Sequence, residues 1–230
     1  MIAACSARTG PYDVRPSSGK RSEELIDARK HWDEVYATKR PTGVSWYQPH
    51  LSRSLALIER AGIGPGDRLI DVGGGASTLV DDLMDRGFRH ITVLDVSALA
   101  LDASQKRLGS RAGEVEWIAG DVLTAQLPQH GYSLWHDRAV FHFLTRPEDR
   151  AAYATQVRHV LTRGGFALIA SFSPDGPRKC SGLEVCRYSP ADLREELGDG
   201  FHLVESATEN HRTPARAVQA FQYSLLSYAG

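Results

Sequence analysis

The chain has 230 residues and a formal net charge of −1, with 42% hydrophobic and 24% charged residues. This length fits one domain, and the composition is that of an ordinary globular protein. The near-zero charge argues against a general binder of nucleic acid or of anionic membranes, because the chain has no excess of positive charge to attract either of them. No apolar run approaches the ~20 residues that a membrane-spanning helix needs.

Three cysteines, Cys5, Cys180 and Cys186, are too few for a disulfide framework, so a cytoplasmic location is expected. The first 24 residues carry Ser, Gly, Pro, Lys and Arg and lack the apolar centre of a signal peptide. We predict a flexible tail over residues 1–24 and one folded domain over residues 25–230.

Helical and extended segments alternate along most of the chain. Apolar spacings near three and four predict helices over residues 24–38, 51–61, 78–86, 98–108 and 148–161. Short apolar runs predict strands over residues 68–72, 91–95, 115–118, 132–135 and 166–172. This alternation predicts a parallel sheet with helices on both faces. Two extended runs, 201–205 and 220–226, predict an antiparallel pair that closes one sheet edge.

The most informative stretch is Leu-Ile-Asp-Val-Gly-Gly-Gly-Ala-Ser-Thr at residues 69–78, where a strand leads into a glycine turn and a helix. Glycine permits a tight turn and lets a ligand lie against the backbone. Asp71 precedes the glycines, Asp95 ends the second strand and Asp121 follows the third. A lone aspartate in such a place is more often a helix cap or turn former. Three in succession predict an acidic rim that faces a ligand with several hydrogen-bond donors.

The identity of that ligand is narrowed by what the glycine turn lacks. Thr78 stands where a dinucleotide fingerprint has its third glycine, and Asp71 would place negative charge near a pyrophosphate. The chain also has no Walker sequence, so a phosphate-binding loop of that kind is not expected. The missing third glycine and the absence of a Tyr-x-x-x-Lys dyad argue against a nicotinamide oxidoreductase. A cationic nucleoside with an ammonium group and free ribose hydroxyls fits the acidic rim better.

From about His31 to its end, the chain resembles class I S-adenosylmethionine (SAM)-dependent methyltransferases. Residues 69–75 are similar to the first motif of that superfamily, Val-Leu-Asp-Val at 93–96 to the second and Ala-Gly-Asp-Val at 119–122 to the third. Leu-Thr-Arg-Gly-Gly at 161–165 is similar to its late Leu-x-x-Gly-Gly signature, while Ser77 stands where the family often has a glycine. The resemblance implies an α/β fold, a three-layer Rossmann-like sandwich around a seven-stranded, mostly parallel sheet with the last strand antiparallel.

The resemblance also implies SAM as methyl donor, S-adenosylhomocysteine as product, and a set of cofactor contacts. These are Gly73 and Gly75 at the methionine part, Asp71 at its amino group, Asp95 at the ribose hydroxyls, Val96, Asp121 and Val122 at the adenine, and Asp137 next to the methyl group.

Two N-terminal segments, His-Trp-Asp-x-x-Tyr at residues 31–36 and Ser-Trp-Tyr at 45–47, are similar to a subgroup that includes some protein-lysine methyltransferases. In that subgroup these segments cover the cofactor, which implies cofactor contacts for Trp32, Tyr36 and Trp46. Tyr47 becomes a candidate catalytic or substrate residue. Trp32 and Tyr36, four residues apart, would equally form a packed helix face.

The acceptor is expected after the fourth strand. His142 is a candidate base or acceptor-orienting residue, and a core or a hydrogen-bonded histidine is the alternative. Arg138 could bind an acidic group of the acceptor or pair with a carboxylate, and Cys180 is a candidate substrate contact. The histidines show no metal spacing, so no metal is expected.

We therefore expect a methyltransferase that acts on a small-molecule acceptor with a thiol, oxygen or nitrogen nucleophile. A protein lysine N-methyltransferase is the alternative, and a catalytically inactive SAM-binding regulatory subunit is the alternative from another class. No nucleic-acid or membrane partner is expected, and the chain is expected to be a monomer or a homodimer.

Overall fold

The structure is a computed structural model that describes the backbone of residues 18–230 and the side chains of Leu25 and of residues 27–230. Within these residues the strands are β1 (Arg68–Val72), β2 (His90–Asp95), β3 (Glu116–Ala119), β4 (Tyr132–Arg138), β5 (Leu161–Phe172), β6 (Lys179–Cys180), β7 (Leu183–Glu184), β8 (Phe201–Arg212) and β9 (Val218–Tyr228). The helices are α1 (Ser18–Thr38), α2 (Ser52–Arg60), α3 (Leu79–Asp85), α4 (Ala98–Leu108), α5 (Pro147–Val160) and α6 (Pro190–Leu197).

Seven of the described strands form one sheet in the order β3-β2-β1-β4-β5-β9-β8, and β6 and β7 form a separate hairpin. Strands β1 to β5 are parallel to one another, whereas β9 is antiparallel to both β5 and β8. The prediction of a seven-stranded, mostly parallel sheet with an antiparallel last strand is confirmed. The last two strands are longer than predicted. Strand β8 lies at the sheet edge, and its many exposed polar residues interrupt the apolar pattern from which its length was predicted.

Two helices differ from the prediction. Helix α1 begins at Ser18, so the predicted tail boundary at residue 24 falls inside a helix, and residues 1–17 lie outside the described part of the chain. Helix α6 was not predicted, since its only buried residues are Leu193 and Leu197 and its apolar pattern is short. Its sequence signal is the capping box of Ser189 and Asp192. Among the described residues, no helix is long and apolar enough to cross a bilayer.

Strand alternation divides the core into two layers. Leu69 and Leu134 pack on the face that carries α2, α3 and α4. Ile70 and Trp135 pack on the opposite face, against residues of α5 and α6. The three-layer arrangement is confirmed, and the same alternation decides which strand-end side chains can reach a common site.

Candidate functional site

A cavity of about 480 Å³ opens where the strands end. Its floor consists of residues that finish or follow β1, β2, β3 and β4: Val72, Gly73, Leu94, Asp95, Val96, Gly120, Asp121, Val122, Arg138, Ala139 and Val140. This volume lies within the range of small-molecule sites, and the position is where parallel α/β sheets bind ligands.

The glycine turn after β1 requires glycine for steric reasons. Gly73 lies on the cavity wall with a φ of +68°, and a Cβ there would collide with the Val140 side chain. Gly75 lies behind the wall, where a Cβ would collide with the Asp95 carboxylate and with Ala100. The turn therefore brings backbone rather than side chains to the cavity.

Asp95 lies on the cavity wall and is only 8% exposed. Burial raises the pKa of its carboxyl to about 7, although backbone N–H groups of Ser97 and Gly75 donate to it and oppose that rise. The negative charges of Asp71 and Asp33 raise the pKa further. In its ionised form, a carboxylate that is so poorly solvated is a strong hydrogen-bond acceptor for a ligand.

Asp71 belongs to a buried hydrogen-bonded chain. Its Oδ1 lies 2.7 Å from Nδ1 of His136, and Nε2 of His136 lies 2.9 Å from Oγ of Ser54. Its Oδ2 is buried and has no hydrogen-bond partner among the described residues. Asp71 borders a smaller cavity of about 40 Å³, which shares Gly73 with the main one. A buried, unpaired carboxylate oxygen beside a cavity suits a cationic ligand group.

Aromatic side chains cover the main cavity. Trp32 on α1 makes edge-to-face contacts with Trp46 and Phe143, with ring centroids 5.6 Å and 5.1 Å apart. Tyr36 also lines the cavity, and burial together with the charge of Asp95 raises the pKa of its hydroxyl. Asp33 accepts a 2.6 Å hydrogen bond from Ser97, which ties α1 to the start of α4.

The far end of the floor follows β3. Val96, Asp121 and Val122 all line the cavity there, as the sequence predicted for an adenine site. Oδ1 of Asp121 accepts a hydrogen bond of 3.0 Å from the backbone N–H of Leu123. This bond orients the Asp121 side chain within its turn.

Arg138 and Cys180 also line the main cavity and lie close enough for the arginine charge to act on the thiol; we call their part of the cavity the acceptor end. The Arg138 side chain donates from Nε to the Tyr223 hydroxyl and from Nη1 to the Trp46 carbonyl, both at 3.0 Å. Cys180 is 3% exposed, and burial raises the pKa of its thiol to about 12. Tyr47 does not line the main cavity, but it lines the smaller one, which Arg138 also borders.

Asp137 does not reach the cavity, in contrast to its predicted place next to the methyl group. Its carboxylate accepts hydrogen bonds from the backbone N–H groups of Val140 and Phe141 and from the hydroxyl of Tyr153 on α5. Successive residues of a strand face opposite sides of the sheet, so Arg138 points to the cavity face and Asp137 to α5. Burial raises the pKa of Asp137 to about 6.

His142 does not line the cavity either, although the sequence made it a candidate base. It is fully buried between the rings of Phe143 and Phe172, at centroid distances of 4.5 Å and 4.8 Å. Neither ring nitrogen has a hydrogen-bond partner among the described residues, and burial lowers its pKa to about 3. This position matches the alternative of a core histidine.

Sequence reasoning missed three residues of this site. Sequence motifs cannot identify His136 and Tyr223, because the roles of these residues depend on partners that are distant in sequence. Phe143 could have been found, since it directly follows His142 in the loop where an acceptor was expected.

Known proteins share both the sequence features and the fold. Residues 69–165 match a family model described as a methyltransferase domain. EEF1A lysine methyltransferase 2 of Mus musculus is 23% identical over 194 residues, which cover 78% of this chain and 74% of that protein.

Two solved structures are similar. One, titled "Conversion of a Disulfide Bond into a Thioacetal Group during Echinomycin Biosynthesis", has a TM-score of 0.69 at 18% identity and covers 87% of this chain and 92% of its own. The other is 1,6-didemethyltoxoflavin-N1-methyltransferase of Burkholderia thailandensis with bound S-adenosylhomocysteine. It has a TM-score of 0.66 at 16% identity, and the match covers 96% of this chain and 94% of that one.

The glycine turn and the strand-end carboxylates line a cavity at the edge where parallel α/β sheets bind nucleoside cofactors. Residues 69–165 form a methyltransferase domain, the whole chain resembles the class I SAM-dependent methyltransferases, and the cofactor of such enzymes is SAM. The site fits that cofactor, because Gly73 leaves the wall open and Asp71, whose Oδ2 has no hydrogen-bond partner among the described residues, borders the smaller cavity that shares Gly73 with the main one.

Proposed function

We propose that this methyltransferase acts on a small-molecule acceptor with a thiol, oxygen or nitrogen nucleophile. This proposal rests on one observation: the side chains of Trp32, Trp46 and Phe143 line the main cavity and contact one another edge to face through Trp32. These rings lie above the cofactor floor and offer flat apolar surfaces, which suit an aromatic or apolar ligand of limited size.

The cofactor contacts form the first part of the proposal. Asp95 would accept hydrogen bonds from the ribose hydroxyls, and Gly73 and Asp71 would hold the methionine part. Val96, Asp121 and Val122 would surround the adenine, and Trp32, Tyr36 and Trp46 would cover the cofactor. Gly75 would act indirectly, because its N–H donates to the Asp95 carboxylate.

The residues of this chain would then align the acceptor and exclude water. When bound, SAM supplies an activated methyl group that a nucleophile can displace in line. The aromatic cover would hold the acceptor close to that group, so that much of the rate enhancement comes from orientation. The buried His142 cannot take a proton from an acceptor in this geometry, so an acceptor that is already deprotonated is favoured.

Protein lysine methylation is a second candidate. It is favoured by the similarity to EEF1A lysine methyltransferase 2, which extends over most of both chains. It is disfavoured by the cationic Arg138 at the acceptor end, because a lysine ammonium would be repelled there.

Methyl transfer from isotopically labelled SAM, followed by mass spectrometry, separates the two candidates. The full chain would be offered a panel of small thiols, phenols, carboxylates and amines, and in parallel purified elongation factor 1A. We expect labelled small products and no labelled protein lysine. Labelled lysine, without any small product, would overturn the proposal in favour of the second candidate.

A further inference from the structure

The two ends of the main cavity differ in charge. Asp95 and Asp121 line the end proposed for the nucleoside, whereas Arg138 is the charged side chain beside Cys180, Trp46 and Phe143 at the other. At the rim, Arg146 forms an ion pair with Asp149, with 3.5 Å between Nε and Oδ2. Within the described part of the chain, the acceptor end therefore combines apolar walls with the inward-facing cation of Arg138.

Two of the three guanidinium nitrogens of Arg138 have a hydrogen-bond partner among the described residues, and the third has none. Nε and Nη1 donate to Tyr223 and Trp46, and the guanidinium carbon lies 4.5 Å from the centre of the Phe221 ring. Nη2 is buried and has no hydrogen-bond partner among the described residues. Buried donors of a charged group are costly to leave unpaired, so this position calls for an acceptor atom from a ligand.

None of the carboxylates that the structure describes fills that role. Glu209 is linked to Arg138 only through Tyr223: its Oε2 accepts from the Tyr223 hydroxyl at 2.8 Å and from Nε2 of Gln48 at 3.2 Å. Among the described residues, no Asp or Glu lies within ion-pair distance of Arg138. Tyr223 and Glu209 thus orient the guanidinium without neutralising it directly.

We propose that Arg138 selects the acceptor, and that the acceptor is a small molecule with a carboxylate or another oxyanion on an aromatic or apolar body. This inference rests on the proposed small-molecule function and adds the chemical class of the substrate. The oxyanion pairs with Nη2, and the body packs between Trp46 and Phe143. The fixed fork of an arginine suits such an anion in a way that a lysine does not.

A carboxylate at Nη2 has a second source. Arg138 also borders the smaller cavity beside Gly73, where the methionine part of the cofactor is proposed to lie. The α-carboxylate of the cofactor has the same chemistry as the proposed acceptor group, so a test has to separate the two sources.

The first arm measures acceptor charge preference by calorimetry on the full chain saturated with S-adenosylhomocysteine. The probes are indole-3-acetate, indole-3-acetamide and tryptamine, which share one aromatic body and differ in charge. We expect indole-3-acetate to bind at least about tenfold more tightly than the other two. Arg138→Met should remove this preference, and Arg138→Lys should retain part of it.

Arg60→Met is the matched control. Arg60 is an exposed arginine that pairs with Glu205 at 2.8 Å on the surface, far from the proposed chemistry. The Arg60→Met variant should therefore bind indole-3-acetate in preference to the other two indoles as strongly as the wild type does. If Arg138→Met does not fold, Tyr223→Phe provides the second variant, since it removes one anchor of the guanidinium and should weaken the preference several-fold.

The second arm compares S-adenosylhomocysteine with methylthioadenosine, which lacks the α-carboxylate. Arg138→Met should leave the affinities of both unchanged within about twofold. A loss of S-adenosylhomocysteine binding alone would overturn the proposal and assign Nη2 to the cofactor carboxylate. Equal binding of the three indoles, tighter binding of tryptamine, or no binding of indole-3-acetate at millimolar concentration would also overturn it. Methylation of protein lysine alone would instead contradict the proposed function, so the two failures differ.

Discussion

The hydroxyl of Ser97 donates a 2.6 Å hydrogen bond to Oδ1 of Asp33 and at the same time accepts from the N–H of Ala100 as the cap of α4. One residue thus joins the covering helix α1 to the element that follows Asp95. The cover and the floor of the cavity are connected at this point by a charge-assisted bond.

We expect Asp33→Ala to loosen α1 over the cavity. The loss of one hydrogen bond to a charged group corresponds to about 1–2 kcal/mol, or roughly a fivefold to thirtyfold loss of S-adenosylhomocysteine affinity. Hydrogen exchange in α1 should accelerate, because the helix has lost its tether. Asp27→Ala, at an exposed position of the same helix, is the control and should change neither quantity. Equal exchange rates in the two variants would contradict the tether.

We expect Asp95→Asn to separate cofactor binding from stability. Two hydrogen bonds to a carboxylate would be weakened, so S-adenosylhomocysteine affinity should fall about a hundredfold in calorimetry. An affinity within about threefold of that of the wild type would remove Asp95 from the ribose site.

The same substitution tests the raised pKa of Asp95. The folded protein holds this proton up to a pH of about 7, whereas an unfolded chain releases it near 4. At about 1.4 kcal/mol per pKa unit, the wild type should therefore lose on the order of 4 kcal/mol of unfolding free energy relative to Asp95→Asn as the pH rises from about 4 to about 8, with no further change above. Urea unfolding of both proteins across this range measures the difference. A constant difference would show that burial does not perturb Asp95.

The chain of Ser54, His136 and Asp71 should stabilise the fold. His136→Gln leaves the buried Asp71 without its partner, which should cost about 3 kcal/mol in urea unfolding. Ser54→Ala removes the outer hydrogen bond and should cost about 1 kcal/mol. His159→Gln changes an exposed histidine on α5 and should stay within about 0.5 kcal/mol of the wild type. A similar small cost for His136→Gln would contradict the role of this chain.

We expect Gly73→Ala to damage both stability and cofactor binding. The added Cβ meets the Val140 side chain and a φ of +68° is unfavourable for alanine, so the cost should be about 2 kcal/mol or more. Adding Val140→Ala removes the atom that causes the closest clash and should restore part of that loss. Thermal unfolding of both variants tests this, and a double variant as unstable as the sum of its parts would exclude the clash as the cause.

Cys180 should behave as a neutral thiol. Because its pKa is raised to about 12, less than about 1% is thiolate at pH 8, and the side chain is almost fully buried. Alkylation by iodoacetamide at pH 8, followed at this residue by mass spectrometry, should be at least about a hundredfold slower than that of free cysteine. Unfolding in urea is the control and should remove the protection. Rapid alkylation of the folded protein would show an accessible thiolate at the cavity.

Motifs and periodicity predicted most of the elements that position the site. The strand over 68–72 and the helix over 98–108 have the predicted bounds, and the apolar run at 166–172 lies within β5. These segments are readable because local periodicity and glycine placement depend on neighbouring residues alone. The rim of Asp71, Asp95 and Asp121 followed from the same information, since parallel strands bring their carboxyl ends to one edge.

What the chain by itself determined was therefore the order of its elements and the edge at which its polar residues gather. The tertiary structure decided which side chains face the cavity. Strand β4 continues to Arg138 instead of ending at Trp135, and its alternation turns Asp137 towards α5 and Arg138 towards Tyr223 on β9. Such contacts join residues far apart in the sequence, and they arise from the packing of layers, which no local pattern encodes.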